Sequence, residues 1–392
     1  MADKFSLIVD DREWDGWESI SVNQSLTDIS GSFNVSVSSK FTTNWAENYG
    51  IYLGAKFQVK INDVSLVNGH IDEIPISYSK DNYSIGYAGR DKAADLVDCC
   101  HDTKKYKSEY QNLTPFAIIK KLCDPFDIEV IVDGTELYNE IYNTAKPIAK
   151  TVIDTGAPVY DAIEKLCQVY AILPYSNGDG ALWLGRASKK YAKDKLEGGV
   201  NILAASSAQN NADRFRTYCA KASTSNAGGT VDKLTSGDLI DWTIGRHRPL
   251  IIVDGDLKTI DDCQKKAAWE ARVREGKSRK LDVTVQGWTQ TDGTPWPLNR
   301  LVPVYDPYLG LDEDFLIAGL SFSLDGSSGS MTRITLVKPD TFELKKKKDI
   351  VKGKDSAYWD RIRSKTKGDK IGESVPQDNT KKKKPYVDRW LK

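Results

Sequence analysis

His101 follows directly on Cys99 and Cys100, and a run of two thiols and an imidazole is the kind of cluster that can hold zinc. The spacing argues against it. Consecutive residues rarely reach one tetrahedral ion together, and the other histidines, His70 and His247, bring no second Cys/His pair. The six cysteines stand at positions 99, 100, 123, 167, 219 and 263, with no CxxC among them. No GxSxG elbow, P-loop or GxGxxG leading into a helix occurs. Asn177-Gly178-Asp179-Gly180 reads as a hairpin turn rather than a phosphate cradle. Carboxylates are abundant, and nothing singles out a glycosidase pair. The residues therefore assign no catalytic position, no metal ligands and no cofactor. Arg246-His247-Arg248 and two lysine tetrads, 345–348 and 381–384, carry charge that suits phosphate, but no nucleic-acid module accompanies them.

With chemistry absent, the elements matter for what they build. The chain has 392 residues, enough for two to four domains. No run approaches the ~18 apolar residues of a membrane span. Met1 to Asp10 lacks a basic region and a cleavage signature, so no export signal is expected. The cysteine pattern points to reduced, buried thiols. The net charge of zero hides an asymmetry. Residues 345–392 hold 17 Lys and Arg against 7 Asp and Glu, so the body before them carries 38 basic and 48 acidic residues.

One pattern is written twice. Ile76-Ser77-Tyr78-Ser79-Lys80-Asp81 returns as Leu320-Ser321-Phe322-Ser323-Leu324-Asp325. Each copy alternates large apolar with small polar residues and reads as a strand with one buried face. Each follows an apolar strand containing glycine (Leu66 to Ile71, and Phe315 to Gly319) and precedes another strand (Tyr83 to Tyr87, and Thr332 to Leu336). The quasi-repeat strands, marked by Ile76, Tyr78, Leu320 and Phe322, lie too far apart for a solenoid and predict two similar β-domains at opposite ends of the chain.

Residues 1–90 read as β throughout, with turns at Asp10-Asp11 and Asn62-Asp63. Residues 91–195 read as a mixed α/β domain. It has a helix from Thr114 (N-cap) and Pro115 to Leu122, a strand over 128–132, a helix over 158–169 and a hairpin over 170–184. Residues 196–344 read as a second β-domain interrupted by a loop over 222–237 and a helix over 256–276, whose acidic start and basic end suit its dipole. Residues 345–392 are too polar to bury a core alone and read as a flexible, Lys-rich extension. In it, Tyr358, Trp359 and Ile362, and Tyr386 and Trp390, form two aromatic motifs suited to docking on a partner. The fold class is thus a β-rich α+β multidomain chain.

Several segments are similar to a known family. They are Phe5 to Val9 with Trp14 and Trp17, Asp28 to Phe33, Val67 to Asp72, and Gly89-Arg90-Asp91-Lys92-Ala93-Ala94-Asp95-Leu96-Val97-Asp98. Pro115 to Leu122 and Ala162 to Leu184 belong with them. Together they resemble the baseplate hub of contractile phage tails, the Mu-type tail protein P family, with the related hubs of R-type pyocins. The resemblance covers most of 1–340 and none of the extension. It implies two tail-tube-like β-barrels per chain with the α/β domain between them, in a homotrimer whose six barrels form a pseudo-sixfold ring. A hexameric tail tube or tube-initiator protein would stack on one side and a trimeric spike on the other, with further baseplate proteins around and DNA only in transit. It places the protein in the virion tail baseplate after assembly in the host cytoplasm.

Symmetry explains why such a chain would be useful. A sixfold tube cannot meet a threefold spike through identical contacts, but three copies of a two-domain subunit present six similar faces. Barrel edges that are a liability in isolation become the interface, so the lone subunit is expected to expose apolar patches. Two other readings compete: a tail-associated cell-wall hydrolase, for which no catalytic stretch stands out, and a glycan- or receptor-binding module built on tryptophans such as Trp45, Trp183 and Trp288. Those three sit in strand or turn contexts that favour packing.

Overall fold

Asp10 and Asp11 adopt φ of 45° and 64°, and Asn62 and Asp63 adopt 47° and 66°. This left-handed pair is what a two-residue hairpin needs to match strand twist, and short polar side chains tolerate it. The first turn joins β1 (Phe5–Val9) to β2 (Arg12–Trp14), and the second joins β5 (Lys56–Ile61) to β6 (Val64–Glu73). The computed structural model describes residues 3–39, 51–80, 83–222, 236–254, 257 and 259–342. The protein is mostly β, with few helices, and divides into two compact units.

The larger unit comprises Met1–Asp213, Arg272–Tyr305 and Glu313–Leu344. Its N-terminal strands continue with β3 (Ser19–Ser25), β4 (Ser32–Ser39), β7 (Ile76–Tyr78) and β8 (Tyr83–Asp91). Apolar side chains alternate inward along them, with Leu7, Val22, Val35, Val59 and Tyr87 fully buried. The interlude is α/β. It holds α1 (Ala94–Asp98), β9 (Glu109–Tyr110), α2 (Pro115–Cys123), β10 (Val130–Val132), α3 (Thr135–Tyr138) and β11 (Thr151–Val152). α4 (Val159–Val169), β12 (Leu173–Ser176) and β13 (Leu182–Gly185) complete it. Thr114 Oγ1 caps α2 by accepting from Ala117 N at 3.4 Å. Ile118, Ile119 and Leu122 of α2 pack with Ile163 of α4 against Leu182 and Leu184 of the β10-β13-β12 sheet.

The chain then returns to β with β14 (Leu196–Glu197) and β15 (Ile202–Gln209). After the smaller unit come β19 (Arg279–Gln286), β20 (Leu301–Asp306), β21 (Leu311–Asp325) and β22 (Gly329–Val337). Among the described residues, these strands and the N-terminal ones form a single 14-stranded sheet. A continuous hydrogen-bonded path runs β15-β19-β22-β21-β3-β4-β8-β6-β5-β1-β2, with β20 against β21, β14 against β20, and β7 against β8.

The smaller unit, over Arg214–Ala271, keeps the expected helix but holds more than a loop beside it. It carries its own sheet, β17 (Ser236–Ile240), β16 (Thr217–Ala222) and β18 (Pro249–Asp254), in the order β17-β16-β18. β16 and β18 run parallel, an arrangement with no local turn to announce it. Tyr218, Ala220 and Leu239 pack on Cys263, Ala267 and Ala271 of α5 (Ile260–Lys277). Arg214 is buried there with its guanidinium 2.7 Å from Asp241.

The cysteines differ in part from the expectation of buried thiols. Cys123, Cys167 and Cys263 are buried in helices, but Cys99 and Cys100 are exposed where the chain leaves α1. No described helix is long and apolar enough to cross a membrane. Trp45, the extension after 345, and its motif residues Tyr358, Trp359, Ile362, Tyr386 and Trp390 lie outside the described residues, as does most of the 222–237 stretch.

Candidate assembly surface

The N-terminal and C-terminal groups of strands meet in one antiparallel seam between β21 and β3. Leu320 stands opposite Gln24, Phe322 opposite Val22 and Leu324 opposite Ile20. Leu26 N closes the end of the seam on Ala318 O at 2.8 Å. Leu320 and Phe322 are buried, and Phe322 is wholly so. The matching strand of the N-terminal half behaves differently. β7 pairs with β8, setting Ile76 opposite Ile85 and Tyr78 opposite Tyr83. Ile76 is 53% and Tyr78 78% exposed, so the one buried face expected of this strand is found only in the C-terminal copy. The reason is the neighbour: β21 has strands on both sides, whereas β7 has only β8 among the described residues.

β15 is a second open edge, paired with β19 alone among the described strands. Leu203 is 55% exposed, and Ser206, Ser207 and Ala208 are exposed beside it. Its run of small residues carried no strong strand signal in the sequence. A further exposed apolar face lies on the smaller unit, where Ile251 and Val253 of β18 are exposed.

The hairpin turn over 176–180 is a structural anchor. Gly178 and Gly180 have φ of +85° and +83°. Ser65 Oγ donates to Gly178 O and Asn68 Nδ2 to Asp179 O, tying the turn to β6. Ser176 Oγ donates to the Asp91 carboxylate at 2.5 Å and accepts from Gly178 N at 3.2 Å. Asp91, at the end of β8, is 1% exposed and also accepts from Ala93 N at 3.3 Å. Burial pushes its carboxyl up to about 6, against the opposing pull of the Ser176 and Ala93 hydrogen bonds. The sequence marked Asp91 as the start of a helical run. Its buried carboxyl and the Ser176 contact, 85 residues along the chain, had no local signal.

His101, Trp183, Trp288 and Arg248 are engaged in packing or hydrogen bonds, whereas Cys99, Cys100, Arg246 and His247 are exposed. The His101 ring is buried between Tyr106 and Tyr110 with Nε2 2.9 Å from Lys107 O. Among the described residues no group of three or more His, Cys, Asp or Glu is placed to hold a metal ion. Trp288 is buried and donates to Ser323 O at 2.9 Å, and Trp183 donates to Asp179 at 2.8 Å. Arg248, proposed for phosphate, donates to Arg214 O at 2.9 Å and lies over the Phe215 ring.

Known proteins match along most of this architecture. Residues 4–91 match the family described as Mu phage baseplate assembly protein GpP-like, N-terminal. Residues 93–186 match the second domain of baseplate hub protein gp44-like proteins, and 259–345 the fourth domain of Mu phage baseplate assembly protein GpP. The baseplate hub protein gp44 of Escherichia phage Mu is 29% identical over 350 residues, 87% of this chain and 89% of that protein. The 43 kDa tail protein of prophage MuSo2 from Shewanella oneidensis is 33% identical with a TM-score of 0.76, covering 86% of this chain and 99% of that one. A tail protein from Neisseria meningitidis MC58 shares the fold, with a TM-score of 0.74 at 22% identity over 88% of this chain and 99% of that one. These relatives are structural proteins rather than enzymes, and on their breadth of coverage the chain belongs to the Mu-type phage baseplate hub family, a structural component of the virion tail baseplate.

Proposed function

We propose that three copies of this hub close into a ring that adapts a sixfold tail tube to a threefold spike. The observation that carries the reading is the strand order within the large sheet. The N-terminal half runs β3-β4-β8-β6-β5-β1, with β7 continuing the line of β6, and the C-terminal half runs β15-β19-β22-β21-β20-β14. The two paths correspond position by position, although β1 is antiparallel to β5 while β14 is parallel to β20. In this reading each half is one tube-like module, so three chains offer six similar faces to the tube and three distinct ones to the spike. Size-exclusion chromatography with light scattering tests it: particles of three chains are expected, and a monomer or dimer at all concentrations refutes it.

The surplus of ten acidic over basic residues before position 345 would line part of the central passage and keep DNA phosphates from sticking. A basic channel wall in a trimer map would refute that. The aromatic motifs around Trp359 and Trp390 would dock on a neighbouring baseplate protein, with the lysine tetrads aiding encounter. Deleting 345–392 is then expected to leave the trimer intact and impair particle assembly. Normal particles from that deletion would remove the role.

A further inference from the structure

We propose that the seam between subunits pairs β7 of one copy with β15 of the next, antiparallel, in the register of the internal β21–β3 seam. The inference rests on the ring of the preceding subsection and specifies how it closes. β21 lies between β22 and β3, while β7, in the corresponding place, has β8 alone among the described residues. β3 lies between β4 and β21, while β15, in its corresponding place, has β19 alone among the described residues. Each open edge is the kind of partner the other one needs. Open edges invite pairing with another chain, and a head-to-tail contact that uses two different edges closes a ring when the rotation allows.

Hydrogen-bond landmarks set the register. Gly54 N donates to Ile71 O at 2.8 Å and Ile71 N to Ala55 O at 3.0 Å. In the C-terminal half Asn299 N donates to Ile317 O at 3.0 Å and Ile317 N to Arg300 O at 2.9 Å. Gly54 and Asn299 both have positive φ, +80° and +55°. A bulge follows each isoleucine, between Ile71 and Glu73 and between Ile317 and Gly319. Ile71 therefore corresponds to Ile317. Counting on, Ile76 corresponds to Phe322, Ser77 to Ser323 and Tyr78 to Leu324, two residues along from the match the sequences alone give.

The other edge follows from the same ladders. Glu73 pairs with Ala88 and Gly319 with Thr335, so Tyr87 corresponds to Ile334. Tyr87 pairs with Val35 and Ile334 with Val283. Val35 pairs with Ile20 and Val283 with Ala205. Ser21 thus corresponds to Ser206 and Val22 to Ser207. The internal pairs Ile20–Leu324, Ser21–Ser323 and Val22–Phe322 then place Ala205 opposite Tyr78, Ser206 opposite Ser77 and Ser207 opposite Ile76 of the neighbour. The side chains fit this exchange. β15 offers small residues where β3 carries Ile20 and Val22, and β7 offers the exposed Ile76 and Tyr78 to lie over them.

The test uses the full chain carrying Cys99→Ser and Cys100→Ser, which removes the two exposed native thiols. Ser77 and Ser206 are exposed, so cysteine at both is a one-atom change on the surface. Leu26 N bonding to Ala318 O puts Ser21 opposite Ser323 at a non-hydrogen-bonded position, where Cα atoms approach to about 4.5 Å. The Ser77→Cys, Ser206→Cys protein should oxidise to covalent dimers and trimers on a non-reducing gel, with the trimer as the end point. A Ser79→Cys, Ser206→Cys protein, set for the register of the sequence match, should give roughly tenfold less. Particles of three chains that cross-link only through position 79, or through neither pair, overturn the proposed seam while leaving the ring. Absence of particles of three chains overturns both.

Discussion

Replacing Asp91 by asparagine should remove a pH dependence of the larger unit's stability. Asp91 is 1% exposed, and burial raises its carboxyl from the usual 3.8 to about 6. Because the folded chain holds that proton more tightly than the unfolded chain, the contribution is fully present below pH 3.8. It is lost as pH rises through 6. The interval is about two pH units, which at about 1.4 kcal/mol each amounts to about 3 kcal/mol. Asparagine resembles the neutral carboxyl, since its Oδ1 can accept from Ala93 N and its Nδ2 can face Ser176 Oγ. The stability of the variant relative to the parent should therefore rise by roughly 2.5 kcal/mol between pH 4 and pH 7. Urea titrations of both proteins at equal subunit concentration, at half-unit pH intervals, measure this. Curves that stay parallel across the range would refute the buried-carboxyl argument.

Three other outcomes follow from the packing. Gly178→Ala should cost roughly 2–3 kcal/mol, because φ is +85° and a Cβ there would stand 2.5 Å from Leu66 O. Faster amide exchange in the 176–180 turn would register it, and unchanged exchange would contradict it. Phe322→Ala should destabilise the subunit by roughly 3–5 kcal/mol, whereas Tyr78→Ala should leave its own stability within roughly 0.5 kcal/mol and act instead on self-association. Equal effects of the two on melting of the dilute protein would contradict the exposure difference. Arg214→Ala should strand Asp241 in the smaller unit and lower its stability by roughly 3–5 kcal/mol, read from the burial-sensitive fluorescence of Trp269.

Elements governed by neighbouring residues were legible in the sequence. The Asp10-Asp11 and Asn62-Asp63 turns, the Thr114 cap and the helix after Pro158 all arise where predicted, because turn and cap chemistry acts over a few residues. The sheet of the smaller unit was less legible. Pro249–Asp254 is apolar on both faces and pairs in parallel with a strand reached only across an intervening strand and loop.

By itself the sequence determined the β-rich character, the α/β interlude, the doubled strand motif and the resemblance to tail hubs. The tertiary structure decided which strands touch. Ser21 meets Ser323 across some three hundred residues, and the matching bulges after Ile71 and Ile317 mark a correspondence two residues from the one the sequence motif suggests. A strand carries period-two information about its faces and almost none about its edges. Which edge is covered, as in β21, and which has no further partner among the described strands, as in β7, is settled only by the tertiary fold.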